Sequence, residues 1–145
     1  MGLSEGLSNP EKKASVVDDI GNMIEAQIAS KSGISGIALK TAFAAIKGVK
    51  PGYISYVVEQ ILPQSFTAID PIWSEGVQTG DPVGYLVTNR SRTANALLSV
   101  TDERIKKTQR QIVKGTYDKL RNSAQQHVEA AVPDLAKIIG KYTNT

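Results

Sequence analysis

The chain has 145 residues, of which 41% are hydrophobic and 21% are charged, and its formal net charge is +3. These values are typical of a soluble globular domain, and they exclude a disordered, collagen-like or rod-like chain as a description of the whole. The absence of cysteine excludes a disulfide framework, a thiol nucleophile and cysteine-based zinc sites. His127 is the only histidine, which excludes multi-histidine metal sites.

The N-terminal ten residues have neither a basic stretch nor an apolar core of the kind found in signal peptides. No window approaches the run of about 18 apolar residues that a membrane-spanning helix needs. We therefore expect a cytoplasmic protein without a transmembrane segment. We expect one helical domain over residues 1–145, with residues 1–9 as a flexible N-terminus.

Apolar residues recur at three- and four-residue spacing along most of the chain, which predicts helices. Asn9 and Pro10 mark the first helix start, because asparagine caps well and proline fits the first helical position. The next helix is predicted from about residue 34 to residue 47, before Gly48. Since that helix is apolar almost all round, its pattern predicts a central position with neighbours on several sides.

Prolines and turn residues set the later boundaries. They predict a break near Pro63, a short helix after Asp81, and helices over about 93–107, over about 108–132 and from Pro133 onward. The sequence thus predicts an all-α fold, a compact single-domain bundle of six to seven helices with a central apolar helix at about 34–47.

Glycine, serine and lysine cluster at the start of the second helix, where free backbone N–H groups and the helix dipole favour an anion. The candidate anion-binding residues are Lys31, Ser32, Ser35 and Lys40. A nucleotide-binding P-loop is excluded, because its spacing and its preceding strand are missing. The alternative, which we favour, is a turn whose glycines supply positive φ and whose serine caps the helix.

Charge is distributed unevenly. Residues 51–89 carry four acids and no base, whereas residues 90–121 carry nine bases and three acids. If one helix runs through residues 104–124, five bases form a stripe on one side of it: Lys106, Lys107, Arg110, Lys114 and Arg121. Such a stripe is suited to an anionic membrane surface, but we favour pairing with the acidic segment within the fold. Nucleic acid is not favoured as a partner, because stacking aromatics and recognition motifs are lacking.

Aromatic side chains concentrate in the middle third of the chain. Four of them are candidates for a subunit or partner interface: Tyr53, Tyr56, Phe66 and Trp73. Core packing is the alternative and the commoner role. An exposed apolar patch around Trp73 would favour an interface, whereas a cavity flanking residues 34–47 would favour a ligand carrier.

No combination of side chains points to catalysis. Carboxylates are scattered, and neither a nucleophile elbow nor a repeated Glu-x-x-His pattern is present. We expect His127 to be a hydrogen-bonded packing residue. We therefore name no catalytic residue, expect no cofactor and no metal site, and do not favour an enzyme.

The segment Ser30–Lys40, followed by Lys50-Pro51-Gly52, resembles the SKxGxSGxAxK…KPG pattern of a small bacterial family of about this length. The likeness continues through Asp70–Trp73 and Val100–Arg104 and covers nearly the whole chain. The family has no assigned activity. The resemblance therefore implies a bacterial, cytoplasmic, single-domain protein, and it implies no functional residue.

Three functions remain open. The first, which the sequence favours, is a non-catalytic interaction or scaffolding module that self-associates or docks on a protein partner. The second is a carrier that binds an apolar or anionic small molecule between its helices. The third is peripheral binding to an anionic membrane or to nucleic acid through the basic stripe.

Overall fold

The structure, a computed structural model, describes Leu3, Leu7 and residues 9–143, except for the side chain of Ser35. This part of the chain is all-α, with six helices and no strand, so the predicted helical bundle is confirmed. The helices are α1 (Pro10–Ser30), α2 (Gly33–Lys47), α3 (Tyr53–Thr79), α4 (Pro82–Thr88), α5 (Arg90–Lys107) and α6 (Gln111–Thr143). None of the described helices is long and apolar enough to cross a membrane.

Four helices form a ring in which each contacts two neighbours. Both α1 and α5 contact α3 and α6, so α3 and α6 face each other across the middle. The short α4 fills the end of the ring where α3 terminates, and its Leu86 is completely buried. The other end, where α3 begins, is covered by α2, which contacts α1, α3 and α6.

Local capping begins two of the helices as the sequence predicts. Asn9 Oδ1 accepts hydrogen bonds from the backbone N–H groups of Glu11 at 2.9 Å and Lys12 at 3.2 Å. In the same way, Asp81 Oδ1 accepts from the backbone N–H of Gly84 at 3.0 Å at the start of α4. These bonds satisfy backbone donors that have no partner within a helix.

Part of the predicted flexible segment 1–9 packs on the bundle. Leu3 and Leu7 are buried in the hydrophobic core, and the backbone N–H of Leu3 donates to Asp70 Oδ1 at 3.1 Å. The remaining residues of that segment, apart from Asn9, lie outside the described part of the chain.

Two predicted helix boundaries at prolines are wrong. Pro63 lies inside α3, and Pro133 lies inside α6 instead of beginning a terminal helix. A proline in a helix interior costs about 3 kcal/mol because it removes a hydrogen bond and clashes one turn back. That cost is offset by core packing on both sides of each proline. Leu62 and Phe66 are buried on either side of Pro63, and Val132 and Leu135 are buried on either side of Pro133.

The helix predicted at about 34–47 is present, but it lies at the edge of the bundle rather than at its centre. None of the described apolar side chains of α2 is fully buried, and those of Ile34 and Ile37 are 90% and 66% exposed. The four longer helices of the ring enclose the core instead. A short helix that is apolar all round therefore gives no indication of which of its sides packs against the rest of the bundle.

Candidate functional site

An apolar cavity of about 300 Å³ lies inside the ring of helices, at the end that α2 covers. It is only partly enclosed, and its walls are almost entirely carbon. Each ring helix and α2 contribute apolar side chains: Met23 and Ile24 of α1, Leu39 of α2, Ile61 and Phe66 of α3, Leu97 of α5, and Val128 and Ala131 of α6. The cavity therefore flanks the segment 34–47, the arrangement that we expect of a carrier.

The cavity has one charged lining residue, Lys31, and none of its described lining residues is acidic. Two of the other polar side chains around the cavity already have hydrogen-bond partners. Gln27 donates from its amide to Asp134 Oδ2 at 2.7 Å, and Thr101 Oγ1 lies 2.8 Å from the hydroxyl of Tyr117. The electrostatic character of the cavity is therefore cationic at Lys31 and neutral elsewhere.

His127 lines the same cavity with an unsatisfied ring nitrogen. Its Nε2 is buried and has no hydrogen-bond partner among the described residues. Burial lowers the pKa of His127, and the positive charge of Lys31 lowers it further. The lowered pKa favours the neutral imidazole, whose Nε2 can donate or accept one hydrogen bond according to its tautomer. The prediction that His127 is a hydrogen-bonded packing residue is wrong for this nitrogen.

Two glycines place Lys31 at the cavity. Gly33 follows with a φ of 75°, a left-handed conformation that suits glycine and turns the chain from α1 into α2. A Cβ built on Gly36 would lie 2.8 Å from the carbonyl carbon of Lys31, so only glycine allows this close approach. The two glycines that the sequence places in the turn thus allow the backbone conformation that positions Lys31.

The candidate anion-binding residues at the start of α2 do not converge on one point. Lys31 lines the cavity, whereas Ser32 and Lys40 are exposed. Ser32 occupies the N-cap position of α2 but makes no capping hydrogen bond through its side chain. The side chain of Ser35 lies outside the described part of the structure.

The basic stripe does not lie on one helix, because the chain breaks between α5 and α6 at residues 108–110. The premise of a single helix through residues 104–124 is therefore wrong. Lys106 pairs with Glu103 at 3.1 Å, and Arg121 pairs with Asp102 at 2.9 Å. Arg110 lies over the ring of Tyr53, while Lys107 is exposed and Lys114 is half-buried.

Pairing between the basic and acidic segments occurs at one well-formed contact. The guanidinium of Arg92 donates from both terminal nitrogens to the carboxylate of Glu75, at 2.9 Å and 2.8 Å. The hydroxyl of Tyr85 donates to the same carboxylate at 2.7 Å. Arg92 first, and then Tyr85, lower the pKa of Glu75 to about 2.

A second polar cluster joins α5 to α6 beside the cavity. Asp102 accepts hydrogen bonds from the guanidinium of Arg121 and from the hydroxyl of Tyr117. Arg121, followed by Tyr117, lowers the pKa of Asp102, although burial opposes them. Burial and the Asp102 carboxylate in turn raise the pKa of Tyr117 to about 12. The cluster fixes Thr101, which lines the cavity, through the Tyr117 hydroxyl.

Three of the four aromatic residues proposed for an interface are buried. Tyr53, Phe66 and Trp73 are each less than a tenth exposed, and only Tyr56 is exposed. This placement agrees with the core-packing alternative. Phe66 has a further position that the sequence did not predict, because its ring forms part of the cavity wall.

No group of three or more histidine, aspartate or glutamate side chains in the described residues is close enough to hold a metal ion. The cavity itself brings together one ammonium, one neutral imidazole and apolar walls. Such a lining can enclose a carbon chain and pair one polar end.

The fold and site define a helical domain with an apolar cavity between its helices. Residues 3–143 match the profile of a family of unknown function, DUF6918, and the chain belongs to that family. No curated protein and no solved structure matches the chain significantly. The family agrees with the resemblance of nearly full length found from the sequence.

Proposed function

We propose that this protein is a carrier that binds a small apolar molecule with an anionic end, such as a medium-chain carboxylate. One observation carries the proposal: among the residues that the structure describes, an apolar cavity is lined by a single cation and by a buried imidazole nitrogen without a partner. A volume of about 300 Å³ lies at the lower end of the range for small-molecule sites. The ligand is therefore a single short chain rather than a bulky polycycle.

The polar end of the ligand belongs beside Lys31 and His127. A carboxylate there meets the Lys31 ammonium and accepts a hydrogen bond from His127 Nε2 in the tautomer that carries its proton on that atom. Such a bond relieves the cost of a buried polar atom without a partner. The apolar walls bury the chain, at about 0.8 kcal/mol per methylene group.

The interaction module that the sequence favours is the second candidate. Its support is the exposure of Ile34 and Ile37 on α2, since the aromatic residues first assigned to an interface are mostly buried. Bacterial origin and a cytoplasmic location also stay predictions, made from the sequence and its resemblance.

The test is competition for the cavity between decanoate, decanol and the fluorescent probe anilinonaphthalene sulfonate. Ala131→Phe fills the cavity from α6, whereas Ala130→Phe adds the same ring at an exposed neighbouring position. We expect decanoate to displace the probe from the wild type and from Ala130→Phe. Ala131→Phe should bind decanoate at least tenfold more weakly than the wild type does. Equal binding by the two variants, or no displacement by either compound, would refute the proposal.

A further inference from the structure

The outward side of α2 is an apolar surface that no other part of the described structure covers. Ile34 and Ile37 are 90% and 66% exposed, and Ala38, Thr41 and Ala44 are exposed as well. At about 100° per residue these positions fall on one side of the helix, while Leu39 faces the cavity on the other. The helix thus presents an apolar face on each side.

Positive charge lies along one edge of this surface and just beyond the end of the helix. Between Glu25 and Glu59 the sequence contains lysines and no acidic residue. Lys40 and Lys47 lie on α2 next to the apolar outer side, and both are exposed. Lys50 follows the helix, also exposed, with its ammonium 4.6 Å from the centre of the Tyr56 ring. One acid enters from outside the segment, because Glu25 pairs with Lys47 at 2.8 Å.

We infer that α2 is the surface by which this protein docks on an anionic lipid bilayer. Exposed isoleucines bordered by lysines are what a helix needs to lie in the membrane interface. The apolar side chains enter the acyl boundary while the lysine stems extend to the lipid phosphates. A protein partner would need an apolar groove with acidic residues around it. An anionic bilayer has negative headgroups above an apolar acyl region over its whole surface.

Docking in this orientation places the cavity next to the membrane, because Leu39 lines the cavity from the inner side of the same helix. The inference goes beyond the proposed function and does not depend on it. A surface helix can bind lipid whether or not the cavity holds a ligand, so the two proposals fail separately.

The test is co-sedimentation with vesicles made of equal parts phosphatidylglycerol and phosphatidylcholine, compared with vesicles of phosphatidylcholine alone. Binding to the anionic vesicles is expected at low salt, with strong weakening in about 1 M salt, where the Debye length is about 3 Å. Neutralising Lys40 and Lys50 together, as Lys40→Gln with Lys50→Gln, should weaken binding by about fivefold for each lysine. Replacing the isoleucines, as Ile34→Ser with Ile37→Ser, should weaken binding at least tenfold.

Matched variants at positions outside α2 serve as controls. Ile112→Ser changes an isoleucine that is 53% exposed on α6, and Lys107→Gln with Lys114→Gln neutralises part of the basic stripe. Both should bind like the wild type, as should the cavity-filled Ala131→Phe. Helicity measured by circular dichroism verifies that each variant is folded.

Three results would overturn the inference. The first is equal binding to neutral and anionic vesicles, or no binding to either. The second is loss of binding in the Lys107 and Lys114 variant but not in the α2 variants, which would assign the contact to the basic stripe. The third is a wild-type dimer in light scattering that the Ile34 and Ile37 variant abolishes without any vesicle binding, which would make this face an interface between two copies.

Discussion

Lys31 at the end of α1 and His127 within α6 line the same apolar cavity, and the charge of Lys31 adds to burial in lowering the pKa of His127. A positive charge on the imidazole is therefore disfavoured both by burial and by the nearby ammonium of Lys31. A negative charge would be favoured by Lys31 and would relieve the effect of Lys31 on the imidazole. This relationship is the physical basis for the proposal that the cavity takes a ligand with an anionic end.

The first prediction concerns Lys31. Replacing it in Lys31→Gln should weaken decanoate binding by roughly tenfold, at the lower end for a hydrogen bond to a charged group, because this lysine is partly exposed. Decanol binding should change by less than twofold. Lys137→Gln, at an exposed position of α6 outside the cavity, is the control. If Lys31→Gln weakened decanoate and decanol equally, the lysine would shape the cavity without recognising charge.

The second prediction concerns the contact between α3 and α4. A Cβ on Gly76 would lie 2.7 Å from Pro82 Cα and 2.8 Å from Tyr85 Cβ. Gly76→Ala should therefore lower the free energy of unfolding by about 1–3 kcal/mol, the usual cost of overpacking. Gly115→Ala, where a Cβ has nothing within 4 Å, should instead raise it by about 0.5–1 kcal/mol because alanine is the better helix former. Urea unfolding followed by circular dichroism distinguishes the two, and an identical effect at both glycines would contradict the close packing of α4.

The third prediction concerns acid stability at Glu75. Its pKa falls from 4.5 to about 2, with Arg92 as the main cause. Because the folded pKa lies below the unfolded one, the contact stabilises the fold fully above about pH 4.5, and this stabilisation is lost as the pH falls towards about 2. Arg92→Gln should thus lower the melting temperature at neutral pH by a larger amount than at about pH 3. Arg104→Gln, for which no ion pair is seen in the described structure, should show no such pH dependence, and a pH-independent difference for Arg92→Gln would argue against the assignment.

The fourth prediction separates two neighbouring acids on α5. Asp102 accepts from both Arg121 and Tyr117, whereas Glu103 forms an exposed pair with Lys106. Asp102→Asn should cost about 1–2 kcal/mol of stability, since it removes the negative charge and replaces one of the two oxygens that accept from Arg121 and Tyr117 with an NH2 donor. Glu103→Gln should cost less than about 0.5 kcal/mol, as is usual for an exposed ion pair. Denaturant unfolding measures both costs. Equal costs would show that the cluster of Asp102, Arg121 and Tyr117 stabilises the fold no more than an exposed ion pair does.

Features set by neighbouring residues in the chain were predictable. Asn9 with Pro10, and Asp81, begin helices in the structure as the sequence predicts, because a cap depends only on the next few residues. Gly33 adopts the predicted positive φ for the same reason. The resemblance also predicted membership in an uncharacterised family over nearly the whole chain.

Features set by packing were not predictable. Pro63 and Pro133 stay inside helices because core contacts on both sides outweigh a local penalty. The position of α2 depends on how the longer helices close around one another. The cavity is assembled from five separate helices, so no local pattern signals it. The nearest sequence signal is His127, a lone histidine in a helix, and a lone histidine of this kind is more often a packing residue than a ligand-binding one.

The nuclear magnetic resonance titration of His127 tests the central claim most directly, because its imidazole signals are the only ones of their kind in the chain. We predict a pKa below the usual 6.5 in the free protein, a shift of the ring signals on adding decanoate, and a rise of the pKa as the carboxylate offsets the charge of Lys31. Decanol should shift the signals without this rise. Ring signals and a pKa that stay unchanged up to the solubility limit of decanoate would contradict the account.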